Sequence, residues 1–128
     1  MSVPIAHTKR ICQIIKLKPE YEAEYINAHA NVWPSVLSAL ARHNIADYSI
    51  NYYKPLQLLI ATFKYTGSDL EKDMADIAAD PETQRWWELT DRMQESFQEG
   101  ATGSGGSVPW WTDVPEVFRF EGLEPKAS

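Results

Sequence analysis

Apolar positions recur at steps of three and four from Tyr25 through His29, Val32, Trp33, Val36, Leu37 and Leu40, the spacing of one continuous helix face. Glu20, Glu22, Glu24, Asn27 and Arg42 fall off that stripe. Pro19 stands where the helix would begin, a position that tolerates its missing N–H. Pro34 lies inside the stripe and has no N–H for the Ala30 carbonyl, so a kink or break is expected close to His29. A freed carbonyl beside an apolar-face histidine is a place for a polar ligand.

Other stretches change period. Arg10 to Leu17 is rich in Ile and reads as a first strand, with Cys12 as a small buried hydrophobe. Asp47 to Tyr53 and Leu56 to Tyr65 read as two strands of a hairpin joined at Lys54-Pro55. In the first of these Tyr48, Ile50 and Tyr52 share one face, and Ser49, Asn51 and Tyr53 the other. Ser68-Asp69-Leu70-Glu71 matches a capping box, with Leu70, Met74, Ile77 and Ala78 following at helical spacing. Asp80-Pro81 starts another helix, with Trp86, Met93 and Phe97 along one side. Glu99 to Ser107 is Gly/Ser-rich and predicts a flexible loop. Pro115 to Glu121 alternates Val117 and Arg119 against Phe118 and Phe120, and reads as a last strand.

This order predicts an α+β fold: a ferredoxin-like antiparallel sheet with helices on one face, in a single domain over residues 1–128 with its core at about 10–121. The other sheet face must meet water, a ligand or a second subunit. The Tyr48 and Tyr52 face, or Phe118 and Phe120, would supply an apolar surface there, and a homodimer would cover it.

Charge narrows the partners. Acids outnumber bases 18 to 12 with no basic cluster, which argues against nucleic acid. Cys12 is the only cysteine, which excludes an intrachain disulfide and a thiolate metal site. Met1 to Arg10 lacks the apolar run of a signal peptide and no segment is long enough to span a bilayer, so a cytoplasmic protein without a membrane partner is expected. Gly-rich phosphate loops, HExxH, GxSxG and Cys/His clusters are all absent from the sequence, which predicts chemistry without metal or cofactor.

Candidate chemistry rests on few residues. Of three histidines, His7 falls in the N-terminal tail and His43 at a helix C-terminus, where a partly cationic ring suits the dipole. His29 lies on the apolar stripe, on the same face as Tyr25. It reads either as a core histidine bonded to a backbone carbonyl or as an acid/base in a pocket. Trp86 and Trp87 point about 100° apart on a helix, so both cannot enter one core. They read either as one core and one half-exposed residue, or with at least one of them at a pocket, where an indole face stacks on the C–H groups of a sugar. Trp110-Trp111 poses the choice between pocket and interface.

Glu24-Tyr25, His29 and Trp33-Pro34 resemble the pattern Glu-Tyr, His, Trp-Pro of the L-rhamnose mutarotases at identical spacing. Tyr48 matches the family's strand tyrosine, Leu58-Leu59 with Ala61 its third strand, Gln84-Arg85-Trp86-Trp87 its Q-R-W-W signature, and Glu116-Val117-Phe118 its closing E-V-F. The resemblance runs from about Ile11 to Phe120. Two departures stand out: Ala30-Asn31 where family members often have Asn-Pro, and a longer Gly/Ser-rich loop. The resemblance implies a dimeric ferredoxin-like fold of α/β barrel type and cofactor-free exchange of L-rhamnose anomers in the cytoplasm, with L-fucose as a related sugar. It implies catalytic roles for His29 as acid/base and Tyr25 as its orienter or proton relay, and sugar binding by Tyr48, Trp86 and Trp87. Two other readings share this fold: a cofactor-independent monooxygenase, and a non-catalytic sugar-binding module.

Overall fold

The computed structural model describes residues 8–123, so His7 lies outside the described residues. The first half of the chain forms β1 (Lys9–Leu17), α1 (Glu22–Ala30) after a 3-10 turn at Pro19–Tyr21, α2 (Pro34–Arg42), β2 (Ile45–Tyr53) and β3 (Leu58–Tyr65). Then come α3 (Leu70–Ala79), α4 (Pro81–Asp91), β4 (Gln94–Glu95) and β5 (Thr112–Asp113). The sheet is antiparallel throughout, in the order β2-β3-β1-β4, with β5 on the β1 edge beside β4.

Burial alternates along β3, and the buried residues of β1 and β3 pair directly, as in Ile15 opposite Leu59. Onto this face pack Tyr25 and Met93 at one end and Ile77 at the other, so the helices cover one side of the sheet. Cys12, Ile14, Ile60 and Thr62 stand half-buried on the opposite side.

The Pro34 break falls where expected. Trp33 is extended (φ −61°, ψ 132°), as a residue before proline prefers, and α1 ends at Ala30 while α2 starts at Pro34. The break also resets the helical phase. Val36 and Ala39 become the buried face of α2, whereas Leu37, on the expected stripe, is exposed. Asp80 caps α4, its carboxylate accepting from the Thr83 N–H and hydroxyl at 2.9 Å. For α3 the cap is Asp69, which accepts from Lys72 N at 3.1 Å, rather than the Ser68 of the capping-box reading.

Four expectations are corrected. The Tyr48, Ile50 and Tyr52 face is not the open side of the sheet: Ile50 and Tyr52 pair with Ala61 and Leu59, on the side the helices cover. Phe97 lies beyond the end of α4 and is exposed, so it does not extend the Trp86 and Met93 side. The Gly/Ser-rich segment folds back on α4, with Ser104 N and Oγ donating to the Asp91 carboxylate at 2.8 and 2.5 Å. Finally, Pro115 to Glu121 forms no ladder, and Val117, Phe118 and Phe120 are exposed. The last strand is Thr112–Asp113, because β4 takes Lys16–Leu17 and leaves Gln13–Ile14 of the β1 edge for it.

Candidate active site

A β-bulge sets the floor of the site. Between Ala46 and Ser49 the β2 register slips by one residue against β3, and Asp47 takes a left-handed φ of 50°. In a regular strand Tyr48 would face away from the helices. The inserted residue brings Ile45 and Tyr48 to the same face, and Tyr48 stacks on Phe63 with centroids 5.1 Å apart and planes within 5°.

Helix α1 supplies the facing wall. Tyr25 and His29, one turn apart, stack with centroids 4.0 Å apart. His29 Nδ1 is 2.9 Å from the Tyr25 carbonyl oxygen. A carbonyl only accepts, so in the neutral ring Nδ1 carries the proton and Nε2 keeps its lone pair. Burial lowers the His29 pKa below its ordinary value, and the carbonyl bond partly offsets this. The ring is therefore neutral at pH 7. The core-histidine reading is right about the carbonyl bond, yet that bond leaves the second nitrogen free.

Trp86 is buried and braces His29 from the α4 side, edge-on at 5.3 Å, while Trp33 meets Trp86 at 5.2 Å. Trp87 turns away and packs, half-buried, against the cluster of Ile45, Phe63, Tyr65 and Ile77. Tyr25, His29 and Trp86 are thus in ring contact. Tyr48 and Trp87 each lie against the Phe63 cluster instead.

A cavity of about 350 Å³ opens against Tyr25 and His29, with Leu17, Ile50, Tyr52 and Leu59 among its other walls. That lies at the small end of the roughly 300–1,000 Å³ of small-molecule sites. A larger cavity of about 560 Å³ lies at the other end of β1, under Val114 to Phe118. Its walls carry Lys9, Asp113 and Glu116 but no histidine or phenol, so the smaller cavity is the one with an imidazole.

The phenols of this site stay protonated. Burial, and a neighbouring charge were Tyr48 to ionise, push Tyr25 well above the ordinary tyrosine range, against the opposing bond from Gln94. Tyr48 exposes part of its ring, but its hydroxyl is enclosed and burial pushes it up to about 12.

Sequence reasoning missed Gln94, Trp33 and Tyr52 as parts of the site. Gln94 is buried, donates from Nε2 to Tyr25 Oη at 3.2 Å and accepts from Trp110 Nε1 at 2.9 Å. Its partners stand 69 and 16 residues away in the chain, and no local pattern carries such a link. Tyr52 was visible only as the third member of the Tyr48 face; its hydroxyl lies 3.5 Å from Glu22 at the start of α1.

With this geometry in place, comparison with known proteins is specific. A family model described as L-rhamnose mutarotase matches residues 10–120. The chain is 33% identical over 105 residues to an L-rhamnose mutarotase of Bacteroides thetaiotaomicron, covering 82% of this chain and 91% of that one. It is 36% identical over 100 residues to one from Opitutus terrae, covering 78% and 86%. The crystal structure of L-rhamnose mutarotase FA22100 from Formosa agariphila superposes with a TM-score of 0.68 at 21% identity, covering 88% of this chain and 99% of that one, and so matches in fold. The chain belongs to the L-rhamnose mutarotase family.

Proposed function

We propose that the protein is an isomerase that interconverts the α and β anomers of L-rhamnopyranose by opening and reclosing the ring, with His29 as acid/base. One observation carries this reading. The Tyr25 carbonyl holds His29 in the tautomer whose free Nε2 is a base, in a ring that burial keeps neutral, beside a cavity of sugar size.

The chemistry needs nothing more. His29 Nε2 takes the proton of the anomeric hydroxyl as the C1–O5 bond breaks, and the imidazolium returns it to O5. The neutral product is the open aldehyde. Rotation about C1–C2 presents its other face, and the reverse transfer closes the second anomer. Both oxygens are bonded to C1, so one imidazole serves both. Tyr25, protonated across the working pH range, donates a hydrogen bond to the oxygen that gains charge. Positioned acid–base groups give about 10² to 10⁴-fold, enough for a reaction that water already performs.

Tyr48, Trp86 and Trp87 are the proposed sugar-binding residues: the exposed part of the Tyr48 ring offers an apolar face to the C–H groups and methyl of a deoxyhexose, whereas Trp86 acts through the His29 that it braces and Trp87 through the Phe63 cluster on which Tyr48 stacks. The strand order and the helices on one face support a ferredoxin-like domain with its core over residues 10–121. Half-buried Cys12, Ile14, Ile60 and Thr62 on the open sheet face, with exposed Val117, Phe118 and Phe120 beyond β5, support a homodimer of α/β barrel type. Among the described residues no helix is long and apolar enough to cross a membrane, in keeping with a cytoplasmic enzyme. Saturation-transfer NMR between the two anomeric protons of L-rhamnose, with and without protein, tests the function. Faster exchange is expected with protein; repeating it with L-fucose ranks the sugars. No acceleration of either would overturn the reading.

A further inference from the structure

Among the described residues Gln94 is the one buried side-chain amide, and its orientation is fixed by chemistry. The Trp110 indole N–H can only donate, so the Gln94 atom 2.9 Å from it is the amide oxygen. The amide nitrogen therefore faces Tyr25 Oη, at 3.2 Å, and a nitrogen of that kind only donates. Tyr25 is thereby made an acceptor on that side, and its own proton must leave in another direction. Among the described residues no hydrogen bond takes up that proton.

We propose that Gln94, locked by Trp110, is a positioning residue that makes the Tyr25 hydroxyl a committed donor to the sugar; this rests on the mutarotase reading. Three features support it. Gln94 pairs in the sheet with Leu17, and both are buried, so the amide cannot turn to water. A hydroxyl that accepts one bond is polarised into a better donor. Trp110 is itself anchored, its carbonyl accepting from Ser96 Oγ at 2.7 Å, two residues before β5 joins β1. The Gly/Ser-rich segment accordingly acts as the span that returns the chain from β4 to this indole.

The role is specific to a neutral amide. In Gln94→Glu the carboxylate accepts from both Trp110 and Tyr25, and the phenol proton turns away from the cavity. At pH 8 the anomer exchange rate should fall about tenfold or more, mainly in kcat. As the pH drops and the new carboxyl protonates, its O–H replaces the amide N–H, and the ratio of variant to wild-type rate should climb towards one. The ratio is the readout because Tyr25, the stacked His29 and nearby Tyr48 act in both proteins. The flanking charges of Lys18, Arg92 and exposed Glu95 are likewise common to both.

The Trp110 indole N–H resonance, identified by its loss in Trp110→Phe, should move with pH in Gln94→Glu and stay fixed in wild type. Should Gln94→Glu not fold, Trp110→Phe decides: freeing the amide to flip should lower kcat about threefold with KM unchanged, and an unchanged kcat overturns the proposal. For a folded Gln94→Glu, full activity at pH 8 or a deficit independent of pH overturns it. A wild-type protein without exchange activity would overturn the mutarotase reading itself, whereas an active wild type with an indifferent Gln94→Glu removes only the role of Gln94.

Discussion

His29 donates from Nδ1 to the carbonyl of Tyr25, 2.9 Å away, while the two rings stack at 4.0 Å. One residue thus sets both the tautomer of the imidazole and the plane in which it lies. The arrangement needs a helix, since only residues four apart bring a side chain over that carbonyl. It also needs the helix to stop, and Pro34 stops α1 at Ala30, just past His29.

The pH dependence of exchange follows from this pair. Burial lowers the His29 pKa below 6.5, so the lone pair is intact at neutral pH. kcat/KM should stay level from pH 7 to 9 and fall as the pH drops through an apparent pKa below 6.5. Stability shares the sign. The unfolded chain takes up the His29 proton first, so this contribution is full above 6.5 and is lost as the pH falls through the folded pKa. Anomer exchange followed across pH 5 to 9 checks the profile, and a midpoint above 7 would contradict it.

Tyr25→Phe removes one hydroxyl and leaves the Gln94 amide without its acceptor in a buried site. Exchange should slow about 10- to 100-fold, and stability should fall by about 1–3 kcal/mol for the unpaired donor. Urea denaturation alongside the exchange assay measures both.

Trp86→Ala takes a buried indole from between His29 and Trp33. Loss of a large core aromatic costs about 3–5 kcal/mol. The freed imidazole should also lose its orientation, so the exchange rate of the folded fraction should drop. Trp86→Phe, which keeps an aromatic face, should recover most of the stability by thermal denaturation.

Gly67 sits where a Cβ would lie 2.7 Å from both the Tyr65 ring carbon Cζ and the Asn44 amide nitrogen. Neither neighbour is free to move: Tyr65 donates to Asp73 and accepts from Asp69 N at 2.9 Å, and Asn44 donates to Asp73 at 3.1 Å. Gly67→Ala should destabilise the fold by about 1–3 kcal/mol as overpacking, with exchange by the folded protein unchanged. Chemical denaturation is the check.

Much of the fold was legible wherever periodicity and punctuation agree. Pro34 announces the α1 break, Asp80-Pro81 the start of α4, and the alternation of β3 its two faces. The Tyr25 and His29 juxtaposition was legible too, being local. What escaped was long-range or too short to have a period. The two residues of β5 carry no alternation, while Val117 to Phe120 alternates without any strand to pair with. The anchoring of Ser104 on Asp91 is a side-chain bond across 13 residues that Gly/Ser composition cannot reveal. The bulge at Asp47 left only a residue type tolerant of left-handed backbone as its trace.

The most direct measurement is saturation transfer between the anomeric protons of L-rhamnose in wild type and His29→Ala at equal folded concentration. The expected result is acceleration by wild type and a loss of about 10²-fold or more in the variant, with the circular dichroism of the two proteins alike. Full exchange in a folded His29→Ala would contradict the assignment of His29 as the acid/base.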